Sequence, residues 1–161
     1  MSSLKKTARI AGLCYLLLGI AGVYSIIYVP SKIMVRGDAV ATANNILANE
    51  FLFRTSIISD IISNTIFVFL VLVLYRLFKQ VNEHRAKLLV ALVIVQIPAV
   101  FFMEAFNITS LMIFKGEILK TFELTQRQDL AMLFLKINDY GMLTLEIFWG
   151  LWLIPFGQLV Y

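Results

Sequence analysis

Four long runs of apolar residues dominate the sequence and limit what it can fold into. They cover about residues 8–29, 55–78, 88–114 and 137–161. Each run is long enough to cross roughly 30 Å of hydrocarbon, which takes about 20 helical residues. Only helices and closed barrels span lipid, and continuous runs of this length exclude barrel strands. The sequence therefore predicts an all-α, polytopic transmembrane helical bundle, a single membrane-embedded domain with short extramembrane helices.

Composition indicates that lipid, and not water alone, surrounds this chain. Of 161 residues, 60% are hydrophobic and 15% are charged, whereas soluble domains have about 45–50% apolar and about 25% charged residues. A small globule buries the smallest fraction of its surface, so it cannot hide this many apolar side chains. The net charge of +4 comes from Lys and Arg residues between the apolar runs, which is typical of juxtamembrane charge and not of nucleic-acid binding.

The density of basic residues predicts the orientation. Basic residues are concentrated before the first run and in the hinge between the second and third runs: Lys5, Lys6, Arg9, Arg76, Lys79, Arg85 and Lys87. The other two connections hold seven basic residues, spread over longer stretches and mixed with five acids. Because basic residues near the membrane stay on the cytoplasmic side, we expect the N-terminus to be cytoplasmic.

Several local signals predict helix ends and kinks. Asp38 is a candidate N-cap for a short helix that leads into the second span. Thr125 and Gln128 have the spacing of a capping box, which predicts a helix that runs unbroken from about Leu130 to Tyr161. Proline lacks the N–H of a helical residue, so Pro98 and Pro155 predict kinks in the third and fourth spans.

The end of the sequence is unusual for a membrane protein. The last run, LWLIPFGQLVY, stops without a charged residue to anchor it at the interface. Lys or Arg usually marks such a position. We therefore expect the 161 residues to be C-terminally truncated relative to a longer chain with further apolar sequence.

Three stretches carry a family resemblance: ARIAGLCYLLLGIAG, NEFLFRTSIISDI and GLWLIPFGQLVY. They resemble, in this order, a family of bacterial integral membrane proteins known as domain of unknown function 4386. The resemblance covers most of the chain, and it implies a bacterial, inner-membrane, multi-helix protein. Members usually continue beyond the last block, which agrees with the expected truncation. The resemblance implies no activity and no functional residues.

A polar stripe runs along the second span. Five polar residues fall within an arc of about 140° on a helix of about 100° per residue: Ser56, Ser59, Asp60, Ser63 and Asn64. The opposite face is made of Ile, Phe, Val and Leu. This pattern predicts a helix with one face towards protein and one towards lipid.

The other spans place further polar groups at related positions. Gln96, Glu104 and Asn107 share one face of the third span, and the fourth carries Asp139 and Glu146 seven residues apart. In the predicted orientation, Asp60, Glu104 and Asp139 lie in the outer half of the membrane, with Glu146 nearer its middle. The first span has no acid there, and its Ala8, Gly12 and Gly19 predict a smooth face for close helix packing.

These residues support several functions, and the sequence does not choose among them. Intramembrane carboxylates are costly and tend to be functional, so the cluster is a candidate proton or cation site of a transporter or sensor. Arg54 and Lys136 are candidate ion-pair partners that would instead make it structural. We expect a non-enzymatic protein that packs with itself or a membrane-protein partner, and we assign Trp149 to packing. An intramembrane enzyme acting on lipid is the third alternative, although the sequence has no motif for catalysis, metal binding or a cofactor.

Overall fold

The computed structural model describes the backbone from Ser2 and the side chains from Leu4 to Tyr161, and this part of the chain is helical without β-strands. Within it, four stretches are long and apolar enough to cross a membrane: Leu4–Ile33, Glu50–Phe78, Glu83–Phe114 and Leu124–Val160. We call them the first to fourth spans. The prediction of an all-α bundle with four spans is confirmed, and the chain is a multi-pass membrane protein. Each of these helices begins before the predicted apolar run and includes polar residues there.

The first span contains an irregular turn. It consists of α1 (Ser2–Gly22), a π-helical turn (Val23–Tyr28) and α2 (Val29–Ile33). Pro30 explains the irregularity, since proline cannot bond the carbonyl four residues earlier and its ring crowds that carbonyl. This carbonyl belongs to Ile26, inside the π-helical turn. Such turns are frequent at functional sites.

The second span is one straight run of helix. A short helix, α3 (Ala39–Ala48), precedes α4 (Glu50–Phe78). Asp38 caps α3, because its side chain accepts a hydrogen bond of 2.8 Å from the amide of Ala41, and the predicted N-cap is confirmed. With no proline inside it, α4 keeps its backbone hydrogen bonds across the whole span.

The third span is broken at residues 95–96, between α5 (Glu83–Ile94) and α6 (Ile97–Phe114). The residue that ends α5 is the one whose carbonyl would have bonded the missing N–H of Pro98. The kink predicted at Pro98 is therefore confirmed. Because the break occurs before the proline, Pro98 itself stands in the first turn of α6, where a missing N–H costs no helical hydrogen bond.

The fourth span is broken at Trp152, between α7 (Leu124–Leu151) and α8 (Leu153–Val160). α7 ends at Leu151, four residues before Pro155, so the predicted kink is confirmed. The prediction of an unbroken helix to Tyr161 is wrong for the same reason.

The fourth span also begins differently from the prediction. Glu123 and Gln126 form the capping box of α7, and the Gln126 side chain accepts a hydrogen bond of 3.1 Å from the Glu123 amide. The capping box predicted at Thr125 and Gln128 is wrong. Both pairs have the required spacing, but Gln128 is buried and its position lies inside the helix.

Two apolar clusters hold the helices together, one towards each end of the bundle. α1 packs chiefly on α4 and α6 chiefly on α7, while α5 packs on α4 and α8. The first cluster joins α1, α4, α5 and the end of the fourth span, and includes Ala11, Leu70, Leu89, Val93, Trp152 and Leu159. The second cluster joins α2, α3, α4, α6 and α7, and includes Val29, Ile46, Phe53, Ile57, Leu111 and Leu135.

Much of α1 faces away from the protein. Its exposed apolar side chains include Leu13, Leu16 and Ile20, a surface that suits lipid. The prediction that Ala8, Gly12 and Gly19 provide a packing face is wrong within this chain, because a Cβ at Gly12 or Gly19 would meet no atom within 4 Å. α1 contacts the bundle through the neighbouring face, which carries Ala11.

Candidate functional site

A layer of polar side chains separates the two apolar clusters. In α4, Ser56 and Ser63 are buried, and Asp60 and Asn64 are half-buried. The opposite face of the same helix is exposed and apolar, with Ile58, Ile62 and Phe69. The polar stripe of the second span therefore faces protein, and its apolar face is open to lipid.

Asp60 and Glu104 lie at the same height in this layer. Lys115, which follows α6, pairs with Glu50 at the start of α4 at 3.2 Å, so these two helix ends meet at one face of the membrane. Asp60 and Glu104 are each ten residues from that end of their helix, which is about 15 Å at 1.5 Å per residue. Because the second and third spans run in opposite directions, both carboxylates lie at one level.

Asp60 connects the first and second spans. The hydroxyl of Ser25, in the π-helical turn, donates a hydrogen bond of 2.6 Å to Asp60 Oδ1. Beside it, the Ser59 hydroxyl donates to the carbonyl of Ala21 at 3.1 Å. The irregular turn caused by Pro30 therefore supplies the polar partner of this carboxylate.

Glu104 connects the third and fourth spans and is only 2% exposed. The amide of Asn107 donates to Glu104 Oε2 at 3.0 Å. The amide of Asn138, from α7, donates to the carbonyl of Met103 at 2.8 Å. These amides satisfy polar atoms of the layer but bring no positive charge to the carboxylate.

The fourth span adds two acids to the same region. Asp139 and Glu146 are seven residues apart on α7, so they lie almost in line along one face. Both are exposed within this chain. They border the space between α7 and the first span. These two elements pack on different helices, α7 on α6 and the first span on α4.

A cavity of about 380 Å³ joins these acids, and we call it the acidic cavity. Its lining includes Asp60, Glu104, Asn107, Asp139 and Glu146. Five of the seven predicted site residues thus meet in one cavity. Among the described residues that line it, none is Lys, Arg or His.

A second cavity of about 360 Å³ adjoins the first, and we call it the apolar cavity. Asp60 lines both cavities, together with Ile26, Met142 and Trp149. Asn64, another predicted site residue, lines the apolar cavity. Asp60 therefore stands at the junction of two spaces of different chemistry.

Gln96 lies apart from both cavities. It is buried at the break in the third span, 1% exposed, and in the described part of the chain neither polar atom of its amide has a hydrogen-bond partner. The predicted face of Gln96, Glu104 and Asn107 is divided by this break, because a helical wheel assumes a continuous helix.

The two candidate ion-pair partners do not neutralise the acids of the cavity. Arg54, a candidate partner for the cluster, pairs instead with Glu50 at 2.7 Å, one turn earlier on α4. Lys136 lines a third cavity of about 320 Å³ together with Asp139. Among the ion pairs within the described residues, none joins Lys136 to Asp139.

The structure adds three residues to the site. Ser25 and Asn138 are buried polar residues of the layer, and Trp149 lines both cavities. A serine in an apolar run gives a weak signal, whereas Asn138 stands directly beside Asp139 and could have been included. Trp149, assigned to packing from the sequence, borders open space, and Trp152 packs on Phe67 with ring centroids 5.3 Å apart.

The sequence matches the family described as Domain of unknown function (DUF4386) over residues 10–161. The chain belongs to this family. No curated protein and no solved structure matches this DUF4386 protein. Its chemistry is therefore inferred from the residues of the polar layer.

The arrangement in this DUF4386 protein suits a positive charge more than a chelated metal ion. Within the described residues, no three His, Cys, Asp or Glu side chains are grouped closely enough to hold a metal. The carboxylates are instead distributed along a cavity, and Asp60 and Glu104 accept hydrogen bonds from a hydroxyl and an amide. Such a lining favours a proton, or a polyatomic cation that is large enough to contact several acids at once.

Proposed function

We propose that this protein is a non-enzymatic membrane protein that binds a proton or a cation in the acidic cavity, as part of a transporter or a sensor. The observation that carries the proposal is the lining: four carboxylates of three spans and no basic residue among the described residues. A cation in this cavity would supply the positive charge that the protein does not.

The cost of burying acids supports this function. A carboxylate within a membrane costs roughly 2.5–3.5 kcal/mol on insertion scales, and those that persist mark ion paths and ligand sites. Asp60 and Glu104 receive hydrogen bonds from Ser25 and Asn107, which keep the carboxylates oriented. Among the described residues, neither Arg54 nor Lys136 forms an ion pair with these acids. A bound cation would therefore supply the counter-charge.

Binding of small cations tests the proposal directly. We would measure thermal unfolding of the purified protein in a neutral detergent with sodium, potassium, ammonium or tetramethylammonium chloride. A ligand at about 100 times its Kd stabilises the native state by about 2.7 kcal/mol. We expect at least one cation, or a change in pH, to stabilise the wild type and not the double variant Asp60→Asn/Glu104→Gln.

The control is Asp129→Asn, which removes one exposed carboxylate of α7 outside the three cavities. It should respond to each cation as the wild type does. Equal responses of the wild type and the double variant to every cation and pH would show that Asp60 and Glu104 do not bind the cation or proton, and would contradict the proposal.

A second candidate function is packing with another membrane protein or a second copy. It is supported by the glycines of α1, α7 and α8 that border open space, since a Cβ at Gly12, Gly150 or Gly157 would meet no atom within 4 Å. Small residues allow close approach of helices in lipid. Light scattering of the detergent-solubilised protein would test this role: a mass of one chain that Gly12→Leu leaves unchanged would argue against self-association through α1.

The site of action that we propose is the bacterial cytoplasmic membrane, with the N-terminus in the cytoplasm. Basic residues support it, because they are dense beside the start of α1 and in the connection from α4 to α5. The test uses a Cys14→Ala background, which removes the single native cysteine. A membrane-impermeant maleimide should label Lys120→Cys in intact cells, and Lys79→Cys only after permeabilisation; the reverse pattern would invert the orientation.

A further inference from the structure

The two cavities that meet at Asp60 differ in what they would bind. The acidic cavity adds Glu104, Asp139 and Glu146 to this junction. The apolar cavity adds aromatic and aliphatic groups, including Tyr15, Leu18, Phe67 and Trp152. A ligand that fills both spaces therefore needs a charged end and an apolar end.

We propose that the occupant is a lipophilic organic cation, an amine or quaternary ammonium with an aliphatic tail. Its positive group lies by Asp60 in the acidic cavity, and its tail lies in the apolar cavity. This assignment rests on the proposed function, since it names the class of cation that the site takes.

Charge complementarity identifies the charged end. The acidic cavity presents four carboxylates, and in the described chain neither it nor the apolar cavity has a basic residue in its lining. An anionic group would be repelled by this lining, and a neutral or zwitterionic one would bring no net positive charge to balance the carboxylates.

The distribution of groups indicates a polyatomic cation. The described acids are not grouped as a metal site requires, whereas a substituted ammonium spreads its charge over several ångströms. Trp149 borders both cavities at this junction, and the face of an indole ring attracts ammonium groups.

The size and position of the apolar cavity suit a tail. Its volume of about 360 Å³ lies in the range of roughly 300–1,000 Å³ that holds small organic ligands. Gly19 and Gly22 form part of its wall, and a Cβ at either position would meet no atom within 4 Å. The missing side chains thus create the space that the tail would occupy.

Tryptophan fluorescence gives a direct readout, because both tryptophans of the protein line the apolar cavity. We would titrate the purified protein in a neutral maltoside detergent with tetramethylammonium and with hexyltrimethylammonium. Each buried methylene strengthens binding up to about fourfold, so the hexyl compound should bind about tenfold tighter or more. Hexanol, which has the tail without the charge, should bind at least about tenfold more weakly than hexyltrimethylammonium.

Two matched pairs of variants separate the tail from the charge. Gly22→Leu places a side chain in the apolar cavity and should remove the advantage of the hexyl tail, while leaving tetramethylammonium affinity within about twofold. Gly12→Leu, on the same helix and outside the cavities, should bind both compounds like the wild type. Asp60→Asn should weaken both cations about thirtyfold or more, and Asp129→Asn should weaken neither.

The outcomes distinguish this inference from the proposed function. Equal affinity for the two ammonium compounds, unchanged by Gly22→Leu, would overturn the lipophilic ligand and leave a small-cation site. Binding of protons or inorganic cations without either ammonium compound would do the same. No response to any cation would overturn both, and a dimer that Gly22→Leu dissociates would assign the apolar cavity to a second copy of the chain.

Discussion

The first apolar cluster and the polar layer are adjacent, and different parts of the same four spans build them in opposite ways. In the cluster, Leu89 and Val93 are fully buried by apolar neighbours. In the layer, side chains leave two cavities open and carboxylates lack basic partners. The difference separates two properties: packing in the clusters stabilises the bundle, and the layer contains open space and carboxylates without ion pairs.

The backbone shows the same difference. Of the four spans in the described chain, α4 alone runs without interruption. The π-helical turn of the first span supplies Ser25 to Asp60, and the break in the third span places Gln96. Irregular backbone in a membrane is tolerated where it is buried in protein or lines a cavity. The π-helical turn borders the acidic cavity, and Gln96 and Trp152, at the other two breaks, are buried in the bundle.

The largest effect should come from the first cluster. Leu89→Ala removes a side chain that is 0% exposed and should lower the free energy of unfolding by about 2–5 kcal/mol. Leu88→Ala is the matched control, since Leu88 is 46% exposed. This variant should change the free energy of unfolding by about 0.5 kcal/mol or less. Unfolding in detergent mixed with dodecyl sulfate measures both, and similar losses would show that the cluster is not the stable region.

An effect of opposite sign should come from the break in the third span. Gln96→Met replaces a buried amide that has no partner among the described residues. Since an unsatisfied buried polar group costs about 1–3 kcal/mol, the variant should gain up to this amount in the same unfolding assay. Gln158→Met, at an exposed position of α8, controls for the residue change and should be near neutral. A loss of stability in Gln96→Met would contradict this expectation, because it would show that the amide makes a stabilising contact.

The same contrast explains what the sequence could predict. Four spans follow from the length of the apolar runs, and the orientation of Asp60 follows from the periodicity of the second run. Kinks at Pro98 and Pro155 follow from the missing N–H. These features depend on neighbours along the chain, which the sequence displays.

Other features depend on distances through space or on competing local signals. The bond from Ser25 to Asp60 required the π-helical turn at Pro30, and no periodicity displays it. Two capping boxes of equal spacing begin at Glu123 and Thr125, so spacing could not choose between them. The pair of Arg54 with Glu50, however, has the four-residue spacing of a helical ion pair and was predictable.

The smallest effect concerns acids outside the layer, which have the basic partners that the acidic cavity lacks. Lys115, in the connection after α6, bonds Glu117 at 2.9 Å and Glu50 at 3.2 Å. The hydrogen bond to Glu117, followed by that to Glu50, raises the pKa of Lys115 above its ordinary value of 10.5. These exposed pairs should contribute little to stability.

A raised lysine pKa gives this contribution a definite pH dependence. The stabilisation is present in full below the unfolded value of 10.5, and it is lost as the pH rises through the higher folded value. Lys115→Met should therefore melt slightly below the wild type at about pH 8, and the difference should close in more alkaline buffer. Melting temperatures of both proteins across this range measure it. A gap that stays constant as the pH rises would mean that Lys115 stabilises the fold by packing and not by its charge.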